Sequence, residues 1–275
     1  MPTTYAHYRF GRDVYRHLPE EFQNMIHSHG GLYNIGLHGP DLLFYYRIFQ
    51  KNPVSQTGFD MHAKPARDFF LRAARVMQSK KLLSRKGETP FLAAAKYAYL
   101  FGFLCHFALD SNCHPYVEQM VRETGISHSE IEAELDRDLM MLDGLNPMTC
   151  RPTSHLRARI FYGNIIARFF PRITPQQILS SIRYMKICCN LLAPSGQRLR
   201  SLLRNLMKGG HIPATVQDMI IKERPNPQCA PITRELKQRY KRAIQDGVEL
   251  IVNFKEYAEG REPLDERLGH TFGEM

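Results

Sequence analysis

Two pairs of side chains spaced four residues apart carry the chemistry this sequence offers. His106-x-x-x-Asp110 ends a strongly apolar stretch, and His128-x-x-x-Glu132 follows after a short gap. On a helix of about 3.6 residues per turn, positions four apart share a face, one turn apart. Each pair therefore aims an imidazole and a carboxylate the same way. Zinc takes these ligand types where thiolates are not used. An aspartate on an apolar helix also needs a partner or a metal, because unpaired buried charge is costly. His114 comes four residues after Asp110, but Pro115 follows it and pushes residue 114 toward extended geometry. The sequence thus places His114 on a turn between two helices, out of register with Asp110. Ser127-His-Ser-Glu130 reads as a capping box opening the His128 helix, which leaves Glu132 free for a ligand role. Chemistry alone points to a multinuclear metal centre.

Three further candidates lie upstream. His7 is in the opening segment. In Gly39-Pro40-Asp41, Pro40 suits a first helical turn, where Asp41 either complements the positive end of the helix dipole or serves as a ligand or base. His38 just before them is either a loop residue or a partner that orients a ligand. His62 precedes a helix expected through Phe69, Phe70, Ala73, Ala74 and Met77. His17, His27 and His29 read as surface or capping residues.

The elements that must hold these residues are all helical. One helix is predicted through Val14, Leu18, Phe22 and Ile26, stopped by Gly30-Gly31. The central helix starts at Pro90. Its apolar region, Phe91 to Leu109, is interrupted by Lys96 and His106, so it lacks the ~20 uninterrupted apolar residues of a membrane span and reads as a core helix. Further helices are expected at Val117–Arg122, Ser154–Phe170, Pro175–Leu192, Gln197–Met207 and Ile232–Tyr257. No stretch alternates with period two, and no internal repeat is found. The class is all-α. With 275 residues, 43% of them apolar, a single domain over residues 1–260 is expected, followed by a loosely held tail at 261–275.

Composition narrows the setting. The six cysteines form no C-x-x-C pair and read as buried thiols, neither disulfides nor zinc ligands. The first residues lack a charged segment followed by an apolar one, so a cytoplasmic location is expected. The net charge of +10 is uneven: Arg151 to Gln217 holds eleven Lys and Arg and no acid. Acids crowd Glu118 to Asp143 instead. A basic half favours an anionic partner, such as a phosphate ester, an anionic membrane surface or nucleic acid. The bland alternative is a solvated basic face balanced by the acidic segment. No nucleic-acid-binding motif accompanies the charge.

The ordered set of His7, Gly39-Pro40-Asp41, His62 before a helix, His106-x-x-x-Asp110, His114 and His128-x-x-x-Glu132 resembles the zinc-dependent phospholipase C family, which is related to the S1/P1 nucleases. The resemblance covers about the first half of the chain. It implies an all-helical fold with a zinc cluster of two to three ions in a cleft. Asp41, His62, His106 and Asp110 would surround one zinc; Asp110 would bridge to a second, also bound by His7; His114, His128 and Glu132 would hold the third. The implied activity is hydrolysis of a phosphodiester by zinc-activated water, with Asp41 as ligand and proton acceptor and release of a phospholipid headgroup as the favoured case. A single-strand nuclease or nucleotidase on the same cluster is the alternative, and a non-catalytic metal-binding relative is a third reading. Two departures stand out. Secreted members bind metal through an N-terminal tryptophan, whereas this chain contains no tryptophan. The Asp110 to His114 spacing is also shorter than in the best-known members.

Overall fold

The apolar run at the centre of the sequence forms the axis of the molecule. In the computed structural model, which describes residues 4–79, 89–192, 205 and 220–273, it becomes α6, Pro90–Thr124. Thr89 caps its N-terminus, Pro90 takes the first turn, and Gly125 ends it at a left-handed φ of 71°. Nearly every residue from Ala95 to Asp110 is buried, as expected of a helix apolar all round. By length and composition α6 is able to cross a membrane, but 83% of that apolar window is buried inside the molecule. It is the core helix the sequence predicts.

The other helices wrap this axis: α1 (Thr4–His17), α2 (Glu20–Ser28), α3 (Gly30–Gly36), α4 (Pro53–His62), α5 (Arg67–Gln78), α7 (His128–Leu142), α8 (Ile160–Ile166), α9 (Pro175–Leu192) and α10 (Cys229–Ala258), with a 3₁₀ segment at Gly39–Tyr45. Among the described residues every regular element is helical, so the all-α class holds. α3 and α10 make the most extensive contacts with α6. The α3 crossing is backbone to backbone. A Cβ on Gly36 would lie 2.2 Å from the Tyr99 carbonyl oxygen, and one on Gly102 would lie 2.2 Å from that of Tyr33. Phe69, Phe70, Phe103 and Phe254 fill the core between α5, α6 and α10.

Several boundaries differ from the sequence reading. The stripe Val14, Leu18, Phe22, Ile26 spans two helices, α1 and α2, broken at Pro19. All four side chains still face one core, which is why the periodicity crosses the break. Gly30-Gly31 opens α3 and is not a plain stop. Pro115 does not end the central helix: burial of Cys113 and Val117 on either side carries α6 through it, and the separate helix expected at Val117–Arg122 is its last turns. α8 is shorter than the expected Ser154–Phe170 and ends in a 3₁₀ turn at Ala167–Phe169. The Pro175–Leu192 helix is found at those bounds, and the last one extends to Cys229–Ala258. The helix expected at Gln197–Met207, and much of the basic stretch reaching Gln217, lie outside the described residues. The six cysteines are free thiols.

Residues 261–273 are not the loose tail expected. A 3₁₀ turn at Glu266–Gly269 buries Leu268, the His270 carbonyl accepts the Ala66 N–H at 2.9 Å, and Phe272 is wholly buried against α6.

Candidate metal centre

All eight sequence candidates converge on one face of α6. Their ligating atoms form three groups, each within 4.8 Å: His7, His106 and Asp110; Asp41, His62 and His106; His114, His128 and Glu132. His106 belongs to two of them. Asp110 links the first group to the third: its Oδ1 lies 3.2 Å from His7 Nε2 and 3.5 Å from His114 Nε2. Its Oδ2 lies 3.0 Å from His106 Nε2.

The scaffold explains each placement. α6 supplies His106, Asp110 and His114 at successive turns. Because the helix continues through Pro115, His114 stands in register with Asp110; the turn expected there is corrected, since tertiary packing outweighs the local preference before proline. His7 sits inside α1. Asp136 on α7 accepts the N–H groups of Tyr5 at 3.1 Å and Ala6 at 2.8 Å, which tethers the first turn of α1 just before His7. Asp41 lies in the first turn of the 3₁₀ segment, as expected. Gly39 sets its approach: φ is +45°, and a Cβ there would fall 2.1 Å from His106 Cδ2, so only glycine lets the chain pass over that ring. His62 stands at the C-terminal end of α4, not at the start of the next helix. Ser127 caps α7 through the Glu130 N–H at 3.2 Å, while the Glu130 carboxylate accepts from Lys222 and Asn226. That places His128 and Glu132 one turn apart, Nε2 to Oε1 at 3.2 Å.

Three histidines are oriented by acceptors on their other ring nitrogen. His62 Nδ1 faces the Gly58 carbonyl at 2.9 Å, His114 Nδ1 the Phe272 carbonyl at 3.1 Å, and His128 Nδ1 the Glu118 carboxylate at 2.7 Å. Each contact places a proton on Nδ1 and turns Nε2 inward, the orientation of metal-ligating histidines. The i−4 carbonyl partner of His62 was findable from helix spacing. Glu118, Phe272 and Asp136 carry no local signal, because they come from other turns or distant segments.

Electrostatics fit the same picture. Burial opposes charge on Asp110, yet His106, His114 and His7 hold its carboxyl well below the usual range. Burial likewise opposes charge on Glu132, and His128 and His114 help to outweigh it. Asp41 is lowered against burial by His106 and His62. Burial works against protonation of His62, but Asp41 raises its pKa to about 9, and Glu132 raises that of His128 to about 9.

The donor set fits zinc. His106 Nε2 and Asp110 Oδ2 approach to 3.0 Å, yet neither has a hydrogen-bond partner, and Asp41 Oδ1 has none at 3.0 Å from His62 Nε2. Polar atoms this close and without partners are what a cation held between them would satisfy. Buried polar atoms are otherwise almost always paired. His38 is not among the ligands. Its Nε2 meets His155 Nε2 at 2.8 Å, and burial lowers the pKa of both rings, that of His155 to about 3 with Lys186 adding to the effect.

An all-helical scaffold lined with five imidazoles and three carboxylates defines a metallohydrolase-type centre. Residues 6–174 match the family model for zinc dependent phospholipase C, and the chain belongs to that family. No curated protein and no solved structure matches the chain significantly. Membership makes the protein a hydrolytic enzyme dependent on zinc and acting on phosphodiesters.

Proposed function

We propose that the protein is a phospholipase C that releases a phosphorylated headgroup from a phospholipid, using two to three zinc ions held by His7, Asp41, His62, His106, Asp110, His114, His128 and Glu132. The observation that carries this reading is the merging of three ligand groups through His106 and Asp110. The charge balance supports it. Three carboxylates offset only part of the charge of two or three divalent ions, which leaves the site attractive to an anionic diester. Zinc, when bound, supplies a lowered water pKa of ~7 and charge to neutralise phosphoryl oxygens.

The protein's own groups divide the remaining work. His62, His114 and His128 are the most exposed members, so they form the rim that the phosphate reaches first. Asp41, 13% exposed beside His62, accepts the proton of the attacking water. Water oxygen bonds to phosphorus, the bond from phosphorus to the glycerol oxygen breaks, and that oxygen takes up a proton, giving diacylglycerol and a phosphomonoester. Asp110 and Glu132, nearly sealed from solvent, hold the histidines in register.

The test compares the wild type with Asp41→Asn on phosphatidylcholine and on single-stranded oligonucleotides. Headgroup release that collapses in Asp41→Asn with zinc retained supports the reading. Full activity of Asp41→Asn removes the base assignment. Cleavage of oligonucleotides alone, with steep salt dependence, replaces the lipid substrate with nucleic acid, the partner that the basic Arg151–Gln217 stretch also suits.

A further inference from the structure

The 3₁₀ segment that carries Asp41 ends at Tyr45, and residues 46–52 then turn sharply into α4. Asn52 builds this turn. Its Nδ2 donates to the carbonyls of Tyr46 and Gln50, each at 2.9 Å, and its Oδ1 accepts the Val54 and Ser55 N–H groups at 3.0 Å. The Gln50 N–H closes on the Arg47 carbonyl at 2.8 Å. Arg47 is the only non-glycine among the described residues in the left-handed region, at φ 46°, and its guanidinium lies over the Tyr46 ring. Strain of this kind persists only where surrounding contacts enforce it, and it concentrates at functional segments.

This turn exposes two apolar side chains among polar ones. Phe49 is 89% exposed, the most exposed large hydrophobic among the described residues, and its neighbour Ile48 is 45% exposed. Arg47 and Lys51 flank them. Exposed Phe59 packs at a tilt against Phe44, and Phe44 packs at a tilt against His62, so a line of rings leads from the surface to the candidate metal centre.

We propose that the turn at residues 46–52 docks the protein on an anionic lipid surface, with Ile48 and Phe49 entering the interface and Arg47 and Lys51 meeting the headgroups. The inference rests on the phospholipase reading, since it names how that site reaches its substrate. Apolar side chains beside cations form the pattern that binds an interface through buried area plus attraction to anionic lipid. The net charge of +10 acts in the same direction. A second copy is a poorer occupant: a two-fold contact through this turn would bring Arg47 and Lys51 near the same cations of the other copy.

The experiment is sedimentation of the full-length, zinc-loaded protein with vesicles of phosphatidylcholine, with and without phosphatidylserine. Wild type and Ile48→Asp/Phe49→Asp are compared for binding, zinc content, melting temperature and turnover of a water-soluble nitrophenyl phosphodiester. Binding that requires phosphatidylserine and falls about tenfold or more in the variant, with zinc and melting unchanged, is expected. Equal binding by both proteins, or no wild-type binding to either vesicle, overturns the proposal. So does a wild-type dimer that the variant abolishes without any vesicle binding. The two readings separate cleanly. Lost docking with no diester turnover by either protein keeps the surface and removes the hydrolase, whereas normal turnover with unaltered vesicle binding does the reverse. If the variant melts early, Phe49→Ser with Ile48 intact gives the same comparison at smaller amplitude.

Discussion

At the residue scale, His106 and the protons on the histidines govern the centre. His106 serves two ligand groups, whereas Glu132 serves one. Elemental analysis should therefore find a larger zinc loss in His106→Ala than in Glu132→Ala, with phosphodiesterase activity down roughly a hundredfold or more in both. Glu118→Gln leaves every ligand in place but weakens the partner that orients His128. Chelator competition should show zinc affinity reduced by about 10–100-fold. The pH dependence has a definite sign. Without metal, His62 and His128 keep their protons up to about 9, above the ordinary 6.5, so the stability they contribute is present below 6.5 and is lost as pH rises to 9. Zinc needs those same nitrogens deprotonated, so its affinity rises across that window. The melting difference between zinc-loaded and chelator-treated protein should widen from pH 6.5 to 9; a constant difference would mean these rings are not ligands.

At the element scale, the centre depends on how three chain segments meet α6. Gly39→Ala would place a Cβ against His106 at a backbone angle side chains disfavour. Expected are a loss of roughly 1–3 kcal/mol from strain and reduced zinc content. Gly144→Ala is the control, because Gly144 also has positive φ but open space around it, so stability should fall with zinc retained. Asp136→Ala removes the carboxylate that accepts two N–H groups of α1. Each N–H left unpaired costs roughly 1–3 kcal/mol, so thermal unfolding should shift down clearly, and zinc at the His7 group should weaken with it. Asp136→Asn keeps one acceptor oxygen and should lose less.

At the scale of the whole molecule, the C-terminal segment closes the structure. Phe272 packs its ring against His62, His106 and Phe107 while its carbonyl holds His114. Phe272→Ala should cost about 3–5 kcal/mol by thermal or urea unfolding, as for other fully buried phenylalanines. Its zinc loss should be smaller than that of His114→Ala, because the carbonyl belongs to the backbone and is retained. The arrangement explains why residues 261–273 are held although their sequence is polar and lacks periodicity. Buried Leu268 and Phe272, the His270 carbonyl on the Ala66 N–H and the Arg267 ion pairs with Asp246 and Glu249 fix the segment against the rest of the molecule.

The sequence by itself determined the helical class, the buried central helix and the facing pairs His106/Asp110 and His128/Glu132. Spacing of four on a helix is a local property, and apolar runs report burial directly. It also marked Asp41, His62, His7 and His114 as candidates by type and order. Only the tertiary structure decided that Pro115 leaves the helix intact, which brings His114 into register with Asp110. It alone decided that His106 belongs to two of the candidate groups, and that Asp136, Glu118 and Phe272 hold these residues in place. Those outcomes arise from packing between segments as far as 158 residues apart in the chain, as His114 and Phe272 are, and no local propensity encodes them.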